Sequence, residues 1–577
     1  MKRIKYAIVT SGLIFLLVHI PIFSYSQDLS VIDLQQFREI SQIAVDNKKG
    51  RSGKATLINL NPKINTWFLL RLKWDDGQSD DYHLENREPI RHKISLNPAN
   101  PYGLMIVTDK DQQECDLWSH TSPYSLGHAR TSKNPYTTLC QGQLYLRNKT
   151  EGHKTNIEYV TDLLRNYVWK GDKIVALVRE KFYKDSFLIT PQVTSSEADG
   201  KNMRRRLPSG PIPPLINPQF INNYIDTPEL GIALQNEDTG KMIVGRWYQA
   251  KDFPGIFISA LQPKLIAEEV IENVKNQINS LDDVELSALV YMIAFDLDSF
   301  DVGFAMGTEH PSVGWSERVQ DKVLDTSLKG PDGIGTVDPL IMTGMVNPDN
   351  AARVAATFIG GFKRYHGAFR YGELAFKNQG SHYGFIEAGT VLSRLQPGLA
   401  TVIIYDDGRV DLKTWTEQDN ENMAHINYAR QNGVPIIEYD EKAGLAKPGA
   451  LVSNWGQGNW SGSADKRYRT LRAGLCVQES GRKKFLIYGY FTSVTTAAMV
   501  QVFQAYRCKY AMLLDINALE HTYLSVLRIE DSQFMVQHLI KGMSVLDKNI
   551  RGHIVPRFVG FPDNRDFFYL MRKGEEK

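Results

Sequence analysis

Short alternating or continuous apolar runs dominate the first third of the chain. Ala55 to Leu60 and Thr66 to Trp74 combine β-branched, aromatic and polar residues as strands do, with Asp75-Asp76-Gly77 as the turn that follows. One helical signal stands among them: Thr155 and Glu158 form a capping box, and Ile157, Val160, Leu164 and Tyr167 fall on one face. Residues 27–195 therefore predict a small β-rich domain, with roles in packing, ligand contact or positioning. Residues 196–218 hold Arg204-Arg205-Arg206, Ser209-Gly210-Pro211 and Pro213-Pro214, a proline-stiffened linker whose arginines read as a solvated charge run, a processing site or an anionic-surface contact.

Residues 219–283 form a bridging segment: two short strands around Asp252-Phe253-Pro254-Gly255, then a helix from Lys264 to Leu281 with Ile266, Val270, Val274 and Ile278 on one face. Residues 284–577 make the second domain. An apolar run from Ala351 enters Gly360-Gly361 and a polar loop carrying Lys363, His366, Glu373 and His382. Thr401 to Trp415 is a hairpin around Asp407-Gly408, and Asn454, Trp455, Asn459 and Trp460 sit in a Gly/Ser-spaced loop. Tyr468 to Leu524 then reads as strand, turn, buried strand, amphipathic helix and a strand closing on Leu514-Asp515-Ile516-Asn517. The expected fold class is α+β: a mixed sheet-and-helix C-terminal domain preceded by a smaller β-rich one.

Composition changes this picture little. Of 577 residues, 67 are Lys or Arg and 65 Asp or Glu, a net charge of +2 that gives no reason to expect nucleic acid. The N-terminus matters more. Lys2, Arg3 and Lys5 precede an apolar stretch from Tyr6 to Phe23, and Ser24 and Ser26 supply small residues before Gln27. Residues 1–26 read as a signal peptide, the alternative being an uncleaved anchor. No later stretch is apolar enough for a transmembrane segment, so the expectation is an exported protein, periplasmic or secreted. Four cysteines fall in two separated pairs, Cys115 with Cys140 and Cys476 with Cys508, readable as one disulfide per domain or as buried thiols. Neither pair has zinc spacing.

Four features in order resemble the phosphodiester glycosidase family, the catalytic-domain family of the mannose 6-phosphate uncovering enzyme. They are Gly360-Gly361-Phe362 after an apolar strand, the Asp407-Gly408 hairpin, Arg472-Ala473-Gly474, and a helix followed by a strand ending in Leu514-Asp515. The likeness spans roughly Val284 to Phe568. The family pattern is broken in two places: Ile359 stands where it has asparagine, and Ile516-Asn517 where it has Gly-Gly. The variant resembles a bacterial subgroup of unassigned activity.

The resemblance implies cleavage of a sugar-1-phosphodiester at the glycosidic bond, in an envelope glycan or glycolipid, without a cofactor. Phosphate is a good leaving group, so a cation to hold it matters more than a strong acid. Arg472, at the family arginine, is the expected phosphate contact, or else part of a strand ion pair. Asp515 and Glu373 are the candidate carboxylates, or else a turn cap and a solvated charge. Asn517, Gly360, Gly361, His366, Asn454, Trp455 and Trp460 are the candidate substrate contacts. Each also has a structural reading: turn shaping, a tight strand exit, a surface histidine, or tryptophan tucked beneath its loop. Asp296 and Asp298 lack a recognisable ligand spacing, and metal is neither demanded nor excluded. A non-catalytic phosphoglycan-binding protein is the alternative, and the sequence sets no oligomeric state.

Overall fold

The computed structural model describes residues 29–46, 50–119, 126–156, 158–160, 186–195, 210–237, 240–316, 319–363, 367–369, 371–453 and 468–574. The fold corrects the α+β expectation, because the chain is β-rich in both halves. Its described strands form seven sheets built from antiparallel ladders. The longest described α-helix, Thr496–Ala505, has 10 residues. Between Lys264 and Leu281 only Glu268–Val274 is α-helical. Asn276, Asn279 and Ser280 that follow have poor helix propensity, which physically favours an early stop.

In the first half, a six-stranded sheet runs Glu39–Asp46, Ser52–Asn59, Trp67–Trp74, Ser79–Asn86, Leu144–Arg147 and Tyr136–Leu139 in spatial order. It packs Leu57, Phe68, Leu70 and Leu84 against Ile94, Leu104 and Ile106 of a three-stranded sheet. A Cys115–Cys140 disulfide crosses this core. Closing a loop of 25 residues in the unfolded chain is worth about 3.5 kcal/mol in the chain-entropy account.

The second half is organised around an eight-stranded sheet. Its centre runs Val290–Asp296, Lys483–Val494, Thr470–Ser480 and Tyr510–Ile516. The strand–turn–strand–helix–strand order expected from Tyr468 onward is present. The helix is not amphipathic, however, for nine of its side chains are buried. It lies on the sheet so closely that a Cβ at Gly474 would come within 2.7 Å of Met499 Cε and 2.9 Å of Phe503 Cζ. The glycine of Arg472-Ala473-Gly474 is thus a close-approach residue. The Cys476–Cys508 disulfide ties the Thr470–Ser480 strand to the residue three beyond the helix. Two disulfides fit folding in an oxidising compartment, as expected of an exported chain. On the sheet's other side, Phe295 and Tyr488 meet Phe358 of a five-stranded sheet at ring separations of 6.0 and 5.3 Å. Sandwiching explains why Val290–Asp296 is buried at every position instead of alternating. Among the described residues no helix is long and apolar enough to cross a membrane.

The halves meet through buried polar contacts. Arg147 sits between Glu85, at 2.5 Å, and Glu387, at 3.6 Å, while its guanidinium donates to Ile341 O at 2.9 Å. Burial pushes Glu387 up to about 7 despite Arg147 and the Met306 N–H. A carboxyl raised this way favours folding below its unfolded pKa, and that contribution is lost as pH climbs through 7. Glu387→Gln is therefore expected to gain on the wild type between pH 4.5 and 8, by at most about 3 kcal/mol. Urea melts at the two pH values check this; a constant difference would contradict the assignment.

Candidate functional site

Tyr510–Ile516 lies between two neighbours in the eight-stranded sheet, so all seven of its side chains are buried, Asp515 among them at 4% exposure. A carboxyl there needs donors. Its Oδ1 accepts the Ile516 N–H at 2.8 Å, and its Oδ2 accepts from Arg565 Nη1 at 2.7 Å. Burial nonetheless raises Asp515 to about 6, the nearby Arg565 and Arg430 only partly opposing it.

Arg565 comes from a polar turn just before the last strand. A parallel bridge pairs His153 with Asp563 and brings the end of the first half against this turn. Asp563 accepts both Arg557 Nε and Nη2, at 2.8 and 3.1 Å, and the Arg565 N–H at 3.0 Å. Thus fixed, Arg565 also donates from Nε to Glu158 Oε1 at 2.6 Å. Glu158 is the second buried carboxylate. The expected capping box is present, with Glu158 N donating to Thr155 Oγ1 at 3.2 Å and Thr155 N to Glu158 Oε2 at 3.3 Å. The same carboxylate therefore caps a helical turn and anchors the arginine. Burial alone would raise it, but the charges of Arg565 and Lys363 outweigh burial and hold Glu158 well below the usual carboxylate range.

His521 completes the cluster. Its Nδ1 lies 2.8 Å from Ile516 O and its Nε2 lies 2.6 Å from Arg565 Nη2. A carbonyl only accepts and a guanidinium only donates, so the ring is neutral with its proton on Nδ1. Burial and Arg565 push its pKa down, in agreement. Lys363, following Gly360-Gly361-Phe362, reaches Glu309 at 2.8 Å and Glu158 at 3.9 Å. Its side chain is 14% exposed and that of His521 21%, so these two form the solvent-facing edge of an otherwise closed cluster.

Beneath lies a second buried cation. Arg430 donates to Phe362 O at 2.5 Å and Asp566 Oδ2 at 3.2 Å, and Asp566 Oδ1 lies 2.7 Å from His310 Nδ1. Asn432 donates to Leu513 O and Leu514 O at 2.6 and 2.8 Å, joining this layer to the strand that carries Asp515. The double glycine belongs here. A Cβ at Gly361, where φ is 148°, would sit 3.0 Å from Arg430 Cζ and Asn432 Cγ; one at Gly360 would sit 3.0 Å from Asp566 Cβ. Gly360 N already donates to Asp566 O at 2.8 Å. The Gly360 amide is therefore spent within the protein, contrary to the expected anion contact.

Other expected residues go elsewhere. Arg472 pairs in register with Ile516, the neighbour of Asp515, so its side chain leaves the opposite face of the sheet. It donates to Val494 O at 2.8 Å and Tyr468 O at 2.9 Å, and burial lowers it to about 10. It straps backbone and does not meet Asp515. Glu373 opens the short helix Glu373–Lys377 and is exposed, unlike the buried Asp515 and Glu158. Glu373→Ala is expected to shift stability by less than about 0.5 kcal/mol and to leave turnover unchanged, read by a urea melt beside the activity assay. Asn517 has φ of 85°, and its Oδ1 accepts from Thr470 Oγ1 at 3.0 Å, so it shapes the turn. His366, Asn454, Trp455 and Trp460 lie outside the described residues. Among the described residues no group of three His, Cys, Asp or Glu side chains could hold a metal ion.

Glu158 and Arg565 escaped sequence reasoning. The first looked like a helix cap in another domain, and the second lies in Asp563-Asn564-Arg565-Asp566, whose density of charge before an apolar strand was its one signal. No protein-family model matches the sequence, and no curated protein does. Among solved structures the chain is similar to the crystal structure of "Putative exported protein" from Burkholderia pseudomallei K96243, 10% identical over 49% of this chain and 74% of that chain, with a TM-score of 0.19. A likeness at that score carries no argument about fold or function.

Proposed function

We propose that this exported protein hydrolyses a sugar-1-phosphodiester at its glycosidic bond, with Asp515 as the working carboxylate. The observation that carries the reading is the contrast between two buried carboxyls that share one arginine: burial raises Asp515 to about 6, whereas Arg565 and Lys363 hold Glu158 low. Environments that push paired carboxyls apart assign different roles to them. Asp515, with two of its lone-pair sites still open, takes the proton of an attacking water. Water oxygen then bonds to the anomeric carbon as the bond from that carbon to the phosphate oxygen breaks, and the phosphate monoester leaves with the electron pair. Lys363 is the cation placed to receive that charge, because it stands at the solvent-facing edge. Glu158 keeps Arg565 in position, and the neutral ring of His521 fixes its third donor. The mechanism calls on no cofactor.

The resemblance to the phosphodiester glycosidase family supports the same reading, with amendments. Arg565 and Lys363 replace Arg472 as the cations of the site, and Glu158 replaces Glu373 as the second carboxylate. The departure from Gly-Gly at 516–517 is mild where it counts, because asparagine tolerates the left-handed backbone of Asn517 better than most residues. One observation favours the binding alternative: every nitrogen of Arg565 is already engaged inside the protein. Incubating the protein with a synthetic hexose-1-phosphodiester and measuring released free sugar separates the two. Saturable binding without release would overturn the hydrolase in favour of the phosphoglycan-binding protein.

A further inference from the structure

The solvent-facing side of the first six-stranded sheet carries a groove of about 520 Å³ that the proposed chemistry does not use. Strand alternation and register fix what lines it. Ile40 stands opposite Ile58, with Ile32 beside them; Gln42 and Thr56 follow, Thr56 facing Arg71; Lys54 then faces Lys73. The groove therefore has an apolar end and a cationic end. Lys54 and Ile58 are four residues apart on one strand, about 13 Å in extended backbone.

Three features mark this as a built site. Ile40 is 54% exposed beside a groove it could have closed. Lys54 and Lys73 are direct cross-strand partners, an arrangement of like charges that costs stability. Among the described residues neither lysine forms an ion pair, whereas Arg71 is held by Asp81 at 2.7 Å and Arg38 lies 3.5 Å from Asp33. The lining thus holds four cations against one carboxylate, Asp33. It contains no aromatic ring on which a sugar could stack, which counts against a purely carbohydrate ligand.

We propose that this face binds an anionic amphiphile: a phosphate or carboxylate head between Lys54 and Lys73, and an apolar chain laid over Ile40 and Ile32, with the buried Ile58 as the floor. The apolar contact supplies binding through area removed from water, and the opposed lysines supply the charge that selects an anion. The site lies on a different sheet from Asp515 and does not depend on the hydrolytic reading.

Isothermal titration of the full chain with dodecyl phosphate below its micelle concentration is expected to show one saturable site. The Lys54→Glu/Lys73→Glu double variant, altered only at exposed positions, should weaken it at least about tenfold. Ile40→Asn should also weaken it, with both variants keeping the wild-type melting temperature. A conservative Lys73→Gln variant gives a smaller loss in the same direction. Equal binding of inorganic phosphate would show a simple anion site and overturn the proposal. So would equal binding of neutral dodecyl maltoside, unchanged binding by the charge-reversed variant, or no binding at all.

Discussion

Asp515→Asn is expected to lower the rate of sugar-phosphodiester hydrolysis by about 10²–10⁴-fold while leaving the chain folded. The substitution keeps the size of the side chain and an oxygen for the Ile516 N–H or Arg565, so the buried contacts lose little shape. What it removes is the group that accepts water's proton. The pH profile gives a second and more specific reading. A base raised to about 6 works only when ionised, so kcat/KM should climb as pH passes through 6 and then level off. The residual rate of the asparagine variant should lack that inflection. Equal rates for variant and wild type at pH 7 would remove Asp515 from the chemistry.

Arg565→Met carries the largest expected stability effect. Arg565 is 6% exposed and compensates Asp515 and Glu158 together, so removing it leaves two buried carboxyls without their shared counter-ion. Breaking a buried pair from one side costs about 3–5 kcal/mol. The loss should be pH-dependent. In the wild type Glu158 is held low, so its stabilising contribution is present above its unfolded pKa and fades as pH falls through the folded value. Without Arg565 that contribution disappears, and the variant should come nearest to the wild type in acid, where both carboxyls protonate. Adding Glu158→Gln to Arg565→Met should recover part of the loss by removing the uncompensated charge. Urea unfolding of the two variants and the wild type tests this; a single variant as stable as the wild type at pH 7 would show that Arg565 is not the counter-ion of the cluster.

Much of the local structure was legible because local chemistry set it. Gly77 and Gly408 adopt φ of 88° and 79° at the two turns expected from Asp-Gly pairs. The order of elements from Tyr468 to Asn517 follows from where its apolar runs stop and start. The Thr155–Glu158 capping box was readable because both partners lie within one turn. Two other readings failed for a shared reason. The helix Thr496–Ala505 was expected to keep a wet face, and Arg472 to meet Asp515. Each depends on what lies across the sheet from a residue, which one segment's periodicity does not contain. Arg472 and Asp515 sit on neighbouring strands, yet a one-residue offset in register sends their side chains to opposite faces.

The sequence by itself determined most of the strands, the turns and the carboxyl at the end of an apolar strand, since each follows from neighbours within a few positions. Only the tertiary structure decided what that carboxyl faces. Glu158, His521 and Arg565 are separated by 363 and 44 positions along the chain, and they converge because His153 bridges Asp563 and brings the end of the first half against the turn before the last strand. Removing Asp515, Glu158 and Arg565 from water is costly for each alone and tolerable for the three together. That coupling is a property of the closed cluster, and no single stretch of sequence carries it.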